Sequence, residues 1–97
     1  MRVLDLTGSK IVELDDGRSL GLEYYMITTY READGQPIYG VMVEKQDGEE
    51  MEVESVEQLS YSRQEVSDLL EVIYNNTVTP MSLVEVLDEL MNERICG

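Results

Sequence analysis

Histidine, tryptophan and phenylalanine are absent from this chain of 97 residues, and cysteine occurs once. Without histidine the chain lacks the usual general base at neutral pH, the partner of serine and cysteine nucleophiles, and the commonest transition-metal ligand. The single cysteine, Cys96, can form no internal disulfide and cannot build a zinc site. Phosphate-binding glycine motifs and the nucleophile-elbow motif are also missing from the sequence. We therefore expect no catalytic residue, no cofactor, no metal and no enzymatic activity.

Basic residues are scarce, with 7 Lys and Arg against 21 Asp and Glu, a net charge of −14. Such a field repels nucleic acid and anionic membranes and favours basic partners or cations. The sequence has no apolar run of about 18 residues, and its first ten residues, MRVLDLTGSK, lack the apolar core of a signal peptide. We predict a cytoplasmic protein that binds neither nucleic acid directly nor a membrane.

The first part of the chain has the two-residue periodicity of strands. Asp-Gly pairs at 16–17, 34–35 and 47–48 separate four strand-like runs, and Asp-Gly is a signal for type I′ hairpin turns. Short hairpin turns make neighbours antiparallel. Residues 1–59 are predicted to form a four-stranded antiparallel meander, with a bulge near Thr7-Gly8-Ser9 and with Met51 and Val53 facing the core.

The rest of the chain has the periodicity of helices. Ser62 and Glu65 form a capping box, in which each side chain bonds to the other residue's N–H. Asn75-Asn76 is predicted to end the first helix in the left-handed conformation, and Thr79 and Pro80 suit the start of the second. We predict one α+β domain, residues 1–97, in which the helical hairpin of residues 60–97 packs on one face of the sheet.

Four residues are candidates for an interaction surface. Tyr24, Tyr30 and Tyr39 lie on adjacent predicted strands and could form a docking face, since tyrosine is enriched in protein interfaces; half-buried cross-strand packing is the alternative. Val86 lies off the main apolar stripe of the second helix, which makes that helix apolar over a wide arc and suited to a central position or to a second subunit.

One long segment resembles a family of small acidic bacterial proteins of unknown function, of Firmicutes type. The segment is YGVMVEKQDGEEMEVESVEQLSYSRQEVSDLLEVIYNNTVTPMSLVEVLDELM, and the likeness covers residues 22–92. Its most recognisable pattern is N-x-V-x-P-x-x-L between the helices, which falls here on Asn76, Val78, Pro80 and Leu83. The resemblance implies a cytoplasmic bacterial protein and carries over no activity, cofactor or catalytic residue.

Three functions follow from these observations. The first is a non-catalytic protein-interaction module, with regulation as one role, whose partner is another protein or a second copy in a homodimer. The second is an acidic nucleic-acid mimic that binds a basic DNA-binding protein, which needs acids spaced like phosphates on one surface. The third is a carboxylate- or cation-dependent enzyme, for which a cation site near Asp47, Glu49 and Glu50 would be one basis.

Overall fold

The computed structural model describes the backbone of residues 2–96 and the side chains of residues 2–92. Four strands form one antiparallel sheet in the order β1-β2-β3-β4, and two helices follow, which confirms the predicted α+β meander with C-terminal helices. The Cys96 side chain lies outside the described residues. The elements are β1 Arg2–Glu13, β2 Ser19–Tyr30, β3 Pro37–Asp47, β4 Glu50–Ser60, α1 Arg63–Asn75, a 3₁₀ turn Pro80–Ser82 and α2 Leu83–Cys96.

Each connection between strands uses a glycine with a positive φ angle, but the predicted type I′ turns are wrong. Gly17, Gly35 and Gly48 have φ angles of 89°, 70° and 61°. A type I′ turn needs positive φ at both central residues, and the aspartates that precede these glycines have negative φ. The first connection is a longer loop in which the Gly17 N–H bonds to the Leu14 carbonyl at 3.0 Å. In the three connections between strands, only the glycine therefore has the left-handed conformation.

The core lies between one face of the sheet and the two helices. From β2 it takes Leu22, Tyr24 and Met26, every second residue, so these side chains share one face. The helices add apolar side chains at helical spacing, and at full burial each contributes about 1.5–3 kcal/mol of hydrophobic stabilisation. The core residues from β3 and the helical region are Val41, Val43, Val66, Leu69, Leu70, Ile73, Val78, Leu83 and Leu87.

Helix α1 begins with a modified capping box. Ser62 Oγ accepts a hydrogen bond from the Glu65 N–H at 3.1 Å, as predicted. The reciprocal bond differs, because the Ser62 N–H donates to Ser60 Oγ at 3.0 Å and Ser60 Oγ lies 3.4 Å from Glu65 Oε2. The Ser60 hydroxyl group therefore lies between Ser62 and Glu65. It accepts the hydrogen bond of the Ser62 N–H, which the glutamate side chain accepts in a standard capping box.

The segment between the helices closes α1 with a Schellman motif. The Val78 N–H bonds to the Ile73 carbonyl at 3.0 Å and the Thr77 N–H to the Tyr74 carbonyl at 3.1 Å. The left-handed residue is Thr77, with φ 52°, and not the predicted asparagines; Asn76 is the C-cap, with φ −96°. A β-branched residue is strained in this conformation, so other contacts must hold Thr77 in place.

Lys10 on β1 supplies such contacts. Its Nζ donates to the Tyr74 carbonyl at 2.8 Å and to Thr77 Oγ1 at 3.1 Å, and it lies 4.4 Å from the centroid of the Tyr74 ring. One cation therefore satisfies a carbonyl at the end of α1, holds the strained threonine and stacks on an aromatic ring. These contacts tie an edge strand of the sheet to the helix–helix connection.

Lys10→Met is expected to lower the free energy of unfolding by about 2 kcal/mol, because charged hydrogen bonds contribute more than neutral ones. Methionine keeps the length of the side chain and removes only the charge and the donors. Lys45→Met is the matched control, since it removes a surface ion pair with Glu52 at 3.2 Å and should cost less than about 1 kcal/mol. Urea denaturation of both variants measures the difference, and equal losses would contradict the role of Lys10.

Two bulges shape the sheet. The register of β1 against β2 shifts between Leu6 and Gly8, which confirms the predicted bulge, and Thr7 Oγ1 fixes it by donating to the Tyr24 carbonyl at 2.9 Å. A second irregularity separates Tyr39 and Val41 in the pairing of β3 with β4, where Gln58 has φ 58°. Two extra residues of β4 fit between the pairs Val41–Val56 and Tyr39–Ser60, so β4 bulges at this point.

The prediction that Met51 and Val53 face the core is wrong. Their side chains are 57% and 49% exposed. Val53 pairs with Glu44, and Met51 pairs with Gln46, so both lie on the face of the sheet opposite the helices. The residues of β4 that pack against the core are Val56 and Leu59, both half-buried. The sequence prediction therefore placed the alternating apolar residues of β4 on the wrong face of the sheet.

Candidate interaction surface

The face of the sheet turned away from the helices is the candidate site and is called the open face below. Strand pairing arranges its side chains in rows that run across the sheet. One end of the open face is apolar, and the other end carries carboxylates. From the apolar end the rows are Leu4–Ile27–Gly40, Leu6–Tyr25–Met42–Ser55, Ser9–Glu23–Glu44–Val53 and Ile11–Gly21–Gln46–Met51.

The apolar end of the open face has a small buried cluster of its own. Ile27 is 0% exposed although no helix covers this side, and Met42 is 5% exposed. The side chain of Arg2 covers these two residues, and its Nε lies 3.1 Å from Glu57 Oε1. Arg2 belongs to β1 and Glu57 to β4, so this ion pair spans the two central strands, where Gly40 has no side chain to obstruct it. The outer strands must curve toward each other for this contact, and the open face is concave here.

Exposed apolar side chains lie along the two outer strands of the open face. Leu6 is 54% exposed and Ile11, on the same strand, is 74% exposed. A monomeric protein seldom exposes a large continuous apolar patch without a partner. The exposed apolar residues of the open face are Leu4, Leu6, Ile11, Met51 and Val53.

Two carboxylates face each other in the middle of the open face. Glu23 on β2 pairs directly with Glu44 on β3, and like charges at directly opposed positions destabilise a sheet. Both side chains are half-buried. Among residues 2–92 no lysine or arginine forms an ion pair with either of them, because Lys10 and Lys45 occupy the helix side of the sheet. The pair therefore presents negative charge that the fold itself does not neutralise.

Tyr25 lies beside this pair, one row toward the apolar end. Burial raises the pKa of its phenol, and the carboxylates of Glu44 and Glu23 raise it further. The proximity of two anions disfavours the phenolate, so Tyr25 keeps its proton and presents a hydroxyl group next to the carboxylates. Its ring forms the boundary between the two ends of the open face.

A groove of about 560 Å³ lies over Gly21 at the carboxylate end. Gly21 leaves a gap in its row, and Ile11 and Met51 border the gap on the outer strands. Glu23 and Glu44 lie in the adjoining row. The groove can therefore take an aliphatic side chain, and the carboxylates beside it can take a cationic group. Its lining residues are Ser9, Lys10, Ile11, Gly21, Leu22, Glu23, Glu44, Gln46 and Met51.

The residues predicted from the sequence to form an interaction surface are not brought together. Tyr24 is 0% exposed, and its hydroxyl donates to the Val78 carbonyl at 2.9 Å, so it belongs to the core and cannot meet a partner. Tyr30 is exposed at the end of β2, and Tyr39 is half-buried near Arg63. Both point to the helix side. Tyr25, the next residue along the chain from Tyr24, is the tyrosine on the open face.

Val86 occupies a different place. It lines a groove of about 410 Å³ between the helices, together with Val72 and Leu90, and its side chain is half-buried.

The cation site predicted near Asp47 is also altered, because Arg18 Nη1 lies 2.9 Å from Asp47 Oδ2 and supplies positive charge there. Among the side chains that the structure describes, no group of three or more Asp, Glu, His and Cys is placed to hold a metal ion.

The comparisons with known proteins concern the whole of this architecture. The sequence model of one protein family matches residues 4–93. The chain belongs to a family of unknown function, DUF6514. The match includes residues of all four strands and of both helices. Searches of curated proteins and of solved structures find no match. In the described part of the chain, no helix has the length and apolarity needed to cross a lipid bilayer.

Proposed function

We propose that this protein is a non-catalytic interaction module whose open face binds a segment of another protein that combines apolar side chains with a lysine or arginine. The observation that carries the proposal is the opposed pair Glu23 and Glu44, which lies near exposed apolar residues and forms no ion pair with a lysine or arginine among residues 2–92. A repulsive pair lowers stability, and such local cost is retained where it serves a site. A cation from a partner would remove the repulsion.

The partner's chemistry follows from the same face. Aliphatic side chains match the exposed leucines and the groove over Gly21, and burying them would supply most of the affinity. The cationic group would meet the carboxylate pair and fix the orientation, since complementary charge contributes specificity and association rate. The protein's net charge of −14 would steer a basic partner toward it from a distance.

A reducing bacterial cytoplasm is the proposed compartment. One cysteine in the sequence is typical of compartments in which disulfides do not form. Binding and regulation within such a compartment require no catalytic group, which agrees with the absence of histidine from the sequence.

A nucleic-acid mimic is less well supported by the positions of the acids. A mimic needs one continuous surface of acids at phosphate-like spacing. The described acids instead lie on both faces of the sheet, in the connections between strands and along both helices. Representative members of these groups are Glu23 on the open face, Glu54 on the helix side, Asp16 in the first connection, Asp68 on α1 and Glu85 on α2.

A synthetic peptide tests the proposal. The probe peptide is fluorescein-labelled and extended, with apolar residues at alternate positions except for one central lysine, and with threonine and lysine between them. We expect it to bind with a dissociation constant in the micromolar range, roughly −8 kcal/mol, as measured by fluorescence anisotropy. A second peptide with glutamate in place of the central lysine should bind at least about tenfold more weakly.

The double substitution Glu23→Gln with Glu44→Gln is expected to have opposite effects on stability and binding. Relief of the repulsion should raise the free energy of unfolding by up to about 1 kcal/mol, while affinity for the probe peptide falls about tenfold, or 1.4 kcal/mol. The double substitution Glu85→Gln with Asp88→Asn makes the same charge change on exposed positions of α2 and should leave affinity within about twofold. Equal losses of affinity in both double variants would show that only net charge matters.

A further inference from the structure

The sheet has two outer edges, one on β1 and one on β4, because the strands lie in the order β1-β2-β3-β4. Within the described residues no further strand pairs with either edge. An unpaired edge presents a row of free N–H and C=O groups, which is a template for another strand. Proteins usually protect such edges with charged side chains, prolines or bulges. The two edges of this sheet differ in that protection.

The edge on β4 is protected. Four glutamates lie along the strand, and the irregular pairing at Gln58, where φ is 58°, interrupts it. Both devices oppose pairing with an added strand. The four glutamates are Glu50, Glu52, Glu54 and Glu57.

The edge on β1 carries two exposed acidic residues, Asp5 and Glu13, and two basic residues that are engaged elsewhere. Arg2 reaches across the open face to Glu57 at 3.1 Å, and Lys10 bonds to Tyr74 and Thr77 on the helix side. Neither cation is therefore free to oppose the pairing of another strand with this edge. Ile11, the residue after Lys10, is 74% exposed, more than any other exposed apolar residue of β1.

The free backbone groups of β1 can be assigned from the register. The Leu14 N–H bonds to the Arg18 carbonyl at 2.8 Å, and in an antiparallel pair alternate residues bond to the same neighbour. Val12 and Lys10 therefore bond to β2, while the N–H and C=O of Ile11 and Ser9 point outward. Ile11 and Ser9 also place their side chains on the open face, so one added strand would meet both the free backbone groups and the candidate site.

Distance links this edge to the carboxylate pair. The row Ser9–Glu23–Glu44 begins at the edge, and an added strand would lie about 10 Å, or two strand spacings, from Glu23. A lysine placed opposite Ser9 can cross that interval, because the serine side chain is short and the extended lysine and glutamate side chains meet above it. An apolar residue opposite Ile11 would pack on that exposed side chain and over the groove at Gly21.

We infer that the partner segment binds as an added antiparallel β-strand along the Gly8–Glu13 half of β1, with a lysine or arginine opposite Ser9 and an apolar residue opposite Ile11. This inference rests on the proposed function and adds the conformation and register of the bound segment. Strand addition supplies affinity through main-chain hydrogen bonds and specificity through alternate side chains. The bulge at Thr7 limits the straight edge available to this half of the strand.

A second copy of the chain fits the edge less well. Pairing of two β1 strands would bring together two molecules of net charge −14 and would place no free cation opposite Glu23, because Arg2 and Lys10 are already engaged. Electrostatic repulsion therefore favours a basic segment of a different protein.

Backbone methylation of the probe peptide tests strand addition directly. One derivative carries N-methyl groups on the central lysine and every second residue from it, whose amides would face β1. The other carries the same number on the intervening residues, whose amides would face solvent. The first should bind at least about tenfold more weakly than the unmethylated peptide and the second within about threefold. Hydrogen exchange at the amides of Ser9 and Ile11 should be fast in the free protein and slow in the complex.

Ile11→Pro gives an independent test on the protein side. Proline removes an N–H that the fold does not use, and an edge strand tolerates it there; Ile11→Ala is the control that keeps the N–H. We expect the proline variant to bind about tenfold more weakly than the alanine variant, with slow exchange at Lys10 and Val12 reporting that the sheet is intact.

The outcomes separate the two proposals. If the probe peptide binds and depends on Glu23 and Glu44, but the two methylated derivatives bind equally, the segment docks on the open face without strand pairing, and strand addition is wrong. If no probe peptide binds at about millimolar concentration, both proposals fail. A protein that is dimeric in light scattering, with Ser9 and Ile11 amides already slow to exchange, would show that a second copy occupies the edge, which overturns the inference.

Discussion

Gly40→Ala is expected to destabilise the protein by about 3 kcal/mol or more, a large part of the roughly 5–15 kcal/mol that holds a domain of this size together. A Cβ atom at position 40 would overlap the Val56 carbonyl oxygen and lie 2.8 Å from Glu57 Cα. Both neighbours are backbone atoms of β4, so no side-chain rotation relieves the overlap. The strands would have to separate at the irregular pairing between Tyr39 and Val41.

Gly21→Ala is the matched control, in the neighbouring strand. A Cβ atom there would have Gln46 Cβ as its nearest neighbour at 3.8 Å, which is ordinary van der Waals contact. We expect the free energy of unfolding to change by less than about 1 kcal/mol, because alanine restricts the unfolded chain without strain in the folded one. Chemical denaturation of both variants measures the contrast. A Gly40→Ala protein as stable as the Gly21→Ala protein would show that the β3–β4 pairing described above is incorrect.

Tyr24→Phe is expected to cost about 1–3 kcal/mol, because it leaves the buried Val78 carbonyl without its 2.9 Å donor. The side chain is fully buried and its ring packs edge-on against Tyr74, with centroids 5.6 Å apart. Phenylalanine keeps the ring and its packing, so the loss measures the hydrogen bond.

The same substitution should change the dependence of stability on pH. Burial raises the pKa of Tyr24 to about 12, above the value of about 10 that a tyrosine has in the unfolded chain. The unfolded state then loses its proton first, so the stabilisation is complete below pH 10 and is lost as the pH rises through about 12. Urea denaturation between pH 9 and 12 should show a steeper fall for the native protein than for Tyr24→Phe. Parallel curves would contradict the burial of this hydroxyl group.

The order of the strands and helices could be predicted because each depends on local chemistry. The three glycines turn the chain regardless of which face of each strand is buried. Helix α1 begins at a hydrogen bond between Ser62 and Glu65, which are close in sequence. The details that were wrong depend on contacts distant in sequence. Thr77 takes the left-handed position that asparagine favours because Lys10, on the first strand, binds its hydroxyl group.

The open face could be predicted only in part. Alternation along β2 already separates Tyr25 and Ile27 from Tyr24 and Met26, and Tyr25 is therefore the residue that the sequence could have identified. The opposition of Glu23 and Glu44 depends on the register set by the connection between β2 and β3, and that register is not visible in residue types. Burial of Ile27 without a covering helix depends on Arg2 and Glu57, which are 55 positions apart in the printed sequence.

The central claim, that the open face binds a basic and apolar segment, is tested most directly by nuclear magnetic resonance of the isotope-labelled protein titrated with the probe peptide. The account predicts that shift changes concentrate at Ser9, Ile11, Glu23, Tyr25 and Glu44. Exposed positions of the helices, such as Gln64 and Glu85, should remain unchanged. Changes that cluster on the helices, or that are absent at a saturating concentration of peptide, would contradict it.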